Sequence, residues 1–274
     1  MLKKVLLTLG FSVLFGAFFS ACDEQQANSL EQIKAKDKVV IGVFGDKPPF
    51  GYVENGVSVG FDVYIAKRVA KELLGDESKA EFVLVEAQNR VEYPNSNRVD
   101  IVFANFTKTP EREEKVDFAL PYMKVALGVV SKDGTIKSVE DLKDKTLIVN
   151  KGTTADAYFS KNHPEIKLLK FDQNTEAFMA LKDGRGDALA HDNLLLFAWA
   201  KGNDGYGVGI EHLGNDDVIA PAVKKGNAEL LNKLNEILAK LGSEGFIKEA
   251  YNAELKEVYG EKISPESIII EPKL

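Results

Sequence analysis

The sequence predicts an α/β fold in which buried parallel strands alternate with amphipathic helices. Continuous β-branched and aromatic runs recur at residues 39–44 (Val-Val-Ile-Gly-Val-Phe), 82–85, 99–104 and 146–149. An unbroken apolar run of that length is how a strand covered on both faces reads. Helix-period segments lie between them, the clearest placing Phe61, Ile65, Val69 and Leu73 at four-residue steps with Gly75 at the C-cap position. Strand, helix, strand in repetition marks βαβ units. With 274 residues, 45% of them hydrophobic, the chain can bury a real core in one or two domains.

Taken in order, the chain opens with Lys3 and Lys4 and an apolar stretch at 5–19 that is too short for a lasting membrane span. That stretch ends at Ser20-Ala21-Cys22, which holds the chain's single Cys. The pattern resembles a lipobox. It implies a cleaved lipoprotein signal peptide at 1–21, a lipid on Cys22 and a polar tether at 22–29. Strand 39–44 then leads into Gly45-Asp-Lys-Pro-Pro-Phe50, a turn at the C-terminal edge of the sheet, where open α/β folds bind ligands. Lys47 and Phe50 sit on it. The helix from 61 begins with Asp62, read as a structural carboxylate near the helix start. Gln88-Asn-Arg90 follows strand 82–85 on the same edge, and strand 99–104 carries Phe103 and delivers Asn105.

Beyond Asn105, Thr107 and Thr109 offer hydroxyls, and Pro110 suits the first turn of a helix. Arg112 stands one turn in, where its fork can grip a carboxylate with two parallel hydrogen bonds. The plain alternative is a surface Arg paired with Glu111 or Glu113. A new strand group begins at 126–130, and Ser138-Val-Glu-Asp141 looks like a capping-box helix start. Lys151-Gly-Thr-Thr154 follows strand 146–149. A helix starting there would aim the N–H groups of Gly152, Thr153 and Thr154 at the ligand edge and favour an anion. A helix at 174–182 closes at Gly184, and strand 187–190 leads to His191-Asp192-Asn193 before the apolar helix 194–200. Asp192 reads equally as that helix's N-cap or as a ligand group. The helix after Asn227 shows an apolar stripe of Leu230, Leu234, Ile237, Leu238 and Leu241. Further helix is expected at 246–259, and the tail from 261 is expected to be loosely ordered.

The charge balance narrows the function classes. Net charge is −7 and no basic run exceeds two residues after the N-terminus, so no nucleic-acid partner is expected. Three His and one Cys supply no set with metal-ligand spacing, and neither metal nor cofactor is expected. His191 lacks an accompanying nucleophile motif and reads as a neighbour of the site, not a catalyst.

Thr107-x-Thr109-x-x-Arg112, followed by Val116-Asp-Phe-x-x-Pro121-Tyr122, resembles the signature of family 3 polar amino-acid solute-binding proteins of bacterial ABC importers. Gly60-Phe-Asp-Val-Tyr-Ile-Ala66 and Gly152-Thr-Thr154 match that family in the right order, and the similarity runs over residues 39–259. Within the family, the stretches at 42–52 and 150–159 resemble cysteine-binding lipoproteins. The resemblance implies a two-lobed periplasmic-binding-protein fold (type II) with two crossovers. Lobe one would be 30–122 with 218–274, and lobe two 123–217. It further implies a monomeric binding protein that closes on an amino acid and docks on an ABC permease. Arg112 would hold the carboxylate and Asp192 the ammonium, with Asn105, Thr107, Gly152, Thr153 and Thr154 around them. Lys47, Phe50, Arg90 and Phe103 would surround the ligand's side chain. L-Cysteine is favoured, and Arg90 makes aspartate or glutamate the alternative unless it braces its loop through Glu86 or Glu92.

The implied location is the periplasmic side of the envelope, with membrane contact through the lipid alone; Asp23 resembles an inner-membrane retention signal. The rival from another class is a periplasmic dehydratase on the same fold. Its chemistry needs a general acid over the substrate ring, and the motif loops offer no unassigned acid.

Overall fold

The computed structural model describes residues 28–274. The signal segment, Cys22 and the tether up to 27 lie outside the described residues. Asn28 and Ser29, expected as the tether's end, are held in place. Asn28 Nδ2 donates to Asp100 Oδ1 at 2.8 Å, and Ser29 forms a capping box with Gln32 at the start of α1 (Leu30–Lys36).

Strand β1 (Val39–Val43) leads into a small antiparallel meander of β2 (Asp46–Lys47), β3 (Gly51–Glu54) and β4 (Val57–Val59), where the sequence predicts only a turn. Gly60 ends the meander at φ 109°, and a Cβ there would lie 2.6 Å from the Phe50 carbonyl oxygen, so only glycine fits. Helix α2 (Phe61–Leu74) follows and buries Phe61, Ile65, Val69 and Leu73 as their spacing predicts. Strands β5 (Ala80–Leu84) and β6 (Ile101–Val102) flank β1 in parallel, with Phe82 and Ile101 on either side of Ile41. The short α3 (Glu92–Asn95) precedes β6. After it come α4 (Pro110–Glu113), with Pro110 at its first turn and Thr109 as N-cap, and then β7 (Val116–Phe118).

The chain then crosses to a second sheet through β8 (Met123–Lys132). Next come β9 (Thr146–Asn150), α5 (Thr154–Asn162), β10 (Lys167–Phe171), α6 (Asn174–Lys182), β11 (Ala188–Asp192), α7 (Asn193–Lys201) and β12 (Tyr206–Ile219). The strand order is β10-β9-β11-β8-β12. The helix expected to start at 138–141 does not form. Asp141 Oδ2 instead accepts from Lys137 N and Ser138 N at 2.9 Å each, leaving one 3₁₀ turn, Glu140–Leu142, with Leu142 plugged into the core.

A second passage returns the chain to the first sheet through β13 (Ala222–Lys224), which inserts antiparallel between β6 and β7 to give the order β5-β1-β6-β13-β7. Helix α8 (Ala228–Ser243) buries its whole predicted stripe. It is followed by α9 (Phe246–Glu254), α10 (Lys256–Tyr259) and α11 (Pro265–Ile268). The tail expected to be loose is ordered. Ile268 is buried, Ile270 N donates to Tyr122 O at 2.9 Å, and Glu271 accepts from the N–H groups of Ile247 and Lys248. Two α/β lobes joined by two passages result, with the C-terminal tail strapped across the first of them.

Candidate functional site

The C-terminal ends of β1 and β6 in one lobe face those of β9 and β11 in the other. From the first lobe, Asn105 emerges beyond β6 at φ 42°, a left-handed conformation that Asn tolerates better than most residues. Asp62 fixes it there: Oδ2 accepts from Asn105 N at 2.6 Å, and Oδ1 accepts from the Tyr122 hydroxyl at 2.7 Å. Asp62 is thus the structural carboxylate its position suggests. Burial raises its pKa to about 7, although both hydrogen bonds and nearby Lys47 oppose that shift. A carboxyl whose folded pKa lies above its unfolded value stabilises the fold while protonated, and that contribution falls away as pH rises from about 4 through 7. The melting temperature of the wild type should therefore drop relative to that of Asp62→Asn across this window. A constant difference between the two would show that Asp62 does not titrate there.

Lys47 reaches from β2 into the seam between the lobes. Its Nζ donates to Asn105 Oδ1 at 2.6 Å and to Asp192 Oδ2 at 2.7 Å, over the rings of Phe44 and Phe50. Asp192 ends β11 and occupies the N-cap position of α7, as one reading of the sequence has it, but its side chain makes no cap bond there and turns to Lys47 instead. Burial alone would push its pKa up, but Lys47 and then His191 outweigh that and hold the carboxyl well below the usual carboxylate range.

Two guanidiniums complete the first lobe's wall. Arg90 lies over the rings of Phe44 and Phe106 and donates to the carbonyls of Ala87, Ala104, Asn105 and Gly152. Neither Glu86 nor Glu92 braces it; backbone carbonyls do. Burial, then neighbouring Arg112, lowers its pKa. Arg112 lies over Phe106 and donates to Thr107 O at 2.6 Å and Gly152 O at 2.9 Å. Glu113 pairs with Lys108 instead, and no ion pair to a carboxylate is recorded for Arg90 or Arg112 among the described residues. The surface-pair reading of Arg112 therefore fails.

The second lobe presents something other than the expected row of N–H groups. Gly152 N donates to Asp156 Oδ2 and Thr153 N to Asn150 O, while Thr153 Oγ1 caps α5. With φ 74° at Gly152 the peptide turns its carbonyl toward lobe one, where both arginines take it. A side chain at 152 would collide with Gln88 Cα at 2.6 Å. Thr154 is the first residue of α5. Thr107 is buried and bridges to Ile219. Phe50 and Phe103 lie in the main hydrophobic core, Phe103 stacked on Tyr122.

Three buried side chains here keep polar atoms without a partner among the described residues: Asn105 Nδ2, both amide atoms of Asn150, and His191 Nε2. His191 is engaged on its other nitrogen, which accepts from Asp192 N at 2.7 Å. Asn150 was missed by sequence reasoning. Its signal is the one that marks Asn105, a polar residue at the C-terminal end of an apolar strand run. Orphaned buried amides are costly unless something fills their hydrogen bonds. A cavity of about 1050 Å³ lies away from these polar atoms, lined by Pro48, Tyr52, Phe178 and Trp199. The lobes meet across the seam through Lys47 on Asp192 and through Arg90 and Arg112 on Gly152 O.

Opposed charges and unfilled polar atoms between two α/β lobes define a protein that encloses a small polar solute. The chain belongs to the bacterial extracellular solute-binding proteins, family 3, whose model matches residues 39–256. The crystal structure of the solute receptor for L-cysteine of Neisseria gonorrhoeae is 61% identical, covers 88% of this chain and 99% of that one, and superposes with a TM-score of 0.87. The cysteine-binding protein from Campylobacter jejuni is 60% identical, with 88% and 98% coverage and a TM-score of 0.87. The ABC transporter glutamine-binding protein of Bacillus subtilis is 37% identical over 88% of this chain and 90% of its own length. These relatives are a solute receptor and two amino-acid-binding proteins, and the chain is accordingly a binding protein and not an enzyme.

Proposed function

We propose that this protein captures L-cysteine outside the cytoplasm and delivers it to an ABC permease. The observation that carries the ligand is the likeness, about 60% over most of the chain, to two structures of cysteine-binding proteins, against 37% to a glutamine-binding relative. The site supports it. Arg112 and Arg90 offer charge to a carboxylate without a competing acid. Asp192 keeps Oδ1 for an ammonium while Oδ2 takes Lys47. Asn105, Asn150 and His191 hold orphaned polar atoms for the short polar remainder. Lobe one (30–122 with 218–274) closes on lobe two (123–217) about the two passages, and the closed monomer meets the permease.

No helix among the described residues is long and apolar enough to cross a membrane. Attachment would come from a lipid on Cys22 after removal of residues 1–21. Cys22→Ser should abolish fatty-acid labelling, and persistent labelling would remove the anchor. Calorimetry with L-cysteine under reducing conditions, against glutamate, aspartate, glutamine and histidine, tests the ligand. Tighter binding of glutamate or aspartate than of cysteine would overturn the assignment in favour of the acidic alternative.

A further inference from the structure

Strand β2 is two residues long, yet both of its side chains end on the other lobe. Lys47 ends on Asp192. Asp46 ends on α6: Oδ2 accepts from Asn174 N at 2.6 Å and Thr175 N at 3.3 Å, and Oδ1 accepts from Asn174 Nδ2 at 2.9 Å. Helix α6 has Gln173 at its N-cap position with no side-chain cap bond of its own. By contrast α5 and α8 are capped from within their own sequence, by Thr153 and Asn227. A helix start needs acceptors for its first N–H groups and favours a negative charge beside them. For α6 both come from a residue 128 positions earlier in the chain. The meander holds that residue in place, since Asp46 pairs with Tyr52 and Lys47 with Gly51.

We propose that Asp46-Lys47 is a cross-lobe latch in which the Asp46 carboxylate caps the start of α6 from the other lobe, supplying closing free energy that does not depend on which solute lies in the seam. The latch rests on the closing-lobe reading above and adds a device to it. Opening the lobes strips α6 of its cap and releases Lys47 from Asp192. Losing the cap therefore penalises only the closed form. All of Asp46's side-chain partners lie on α6, so its loss weakens every solute by the same factor and leaves selectivity unchanged.

The test compares the full-length wild type with Asp46→Ala and Asp46→Asn, since Asn caps helices about as well as Asp. Small-angle scattering without added amino acid reads closure, and calorimetry with L-cysteine and with glutamine reads affinity. Asp46→Ala should give a larger radius of gyration and lose about 5- to 20-fold in affinity, equally for each amino acid that binds. Asp46→Asn should stay near wild type on both measures. Superimposable scattering from Asp46→Ala and wild type would overturn the latch. So would an Asp46→Asn variant as impaired as Asp46→Ala, or losses that differ between amino acids. If neither amino acid binds wild type, the ligand assignment has failed, and the scattering still decides the latch.

Discussion

Arg112→Ala and Asp192→Ala are each expected to weaken amino-acid binding by roughly 30-fold to a few thousand-fold, because truncating one partner of a desolvated, charge-assisted contact costs about 2–5 kcal/mol. The two act from opposite walls, Arg112 beside Thr107 and Gly152 O, Asp192 at the end of β11. Asp192→Ala should fall toward the larger loss. It removes the acceptor proposed for the ammonium and also leaves the Lys47 Nζ without its carboxylate in a closed seam. Opening the lobes relieves that charge by hydrating it, so the penalty falls on closure before it falls on folding. Thr107→Ala is the contrast. The carbonyl that accepts from Arg112 belongs to the backbone and survives, so the loss should be nearer about 1 kcal/mol. Calorimetric titration alongside thermal unfolding separates the effects, and near-wild-type affinity in both charge variants would remove the clamp.

What could be read in advance follows from what is local. Pro110 in the first turn of α4, the α2 stripe and the α8 stripe each depend on neighbours within a turn or two, and all are found as expected, whereas Thr109, read as a hydroxyl for the ligand edge, caps α4. Strand β12 was invisible because it is an edge strand. Its pairing to β8 comes from backbone groups, its side chains are mostly half-buried or exposed, and its register shifts three times. The site's polarity was legible from strand ends, but its wiring was not. Lys47 meets Asp192 across 145 residues of chain, a contact set by the placement of whole lobes. The direction of the Gly152 peptide turns on one positive φ, so sequence reasoning expected a donor where the structure presents an acceptor. The tail misled for a related reason. Its charges and proline read as loose, while Ile268 and Glu271 find partners far away in sequence.

Phe103→Ala is expected to cost about 3–5 kcal/mol of folding stability, the range for truncating a fully buried aromatic ring, with little change in affinity. Family resemblance places Phe103 against the ligand's side chain, whereas its ring has no exposed surface and stacks on Tyr122 with centroids 5.9 Å apart. Phe61 also meets Tyr122, with centroids 5.9 Å apart, so the three rings form one packed block. Deleting the Phe103 ring leaves a cavity that its rigid neighbours in β1 and α2 cannot collapse to fill. For a chain of this size a loss of that magnitude corresponds to a melting-temperature drop of roughly 6–20 °C. Phe103→Leu, which keeps most of the volume, should lose much less. The block connects to the site at one point, the Tyr122 hydroxyl on Asp62, which in turn fixes Asn105. Any effect on binding should therefore arrive through Asn105 and stay within a few-fold. A Phe103→Ala protein that melts like wild type but binds L-cysteine 30-fold more weakly would put the ring in contact with the ligand and move this wall of the site inward by one residue.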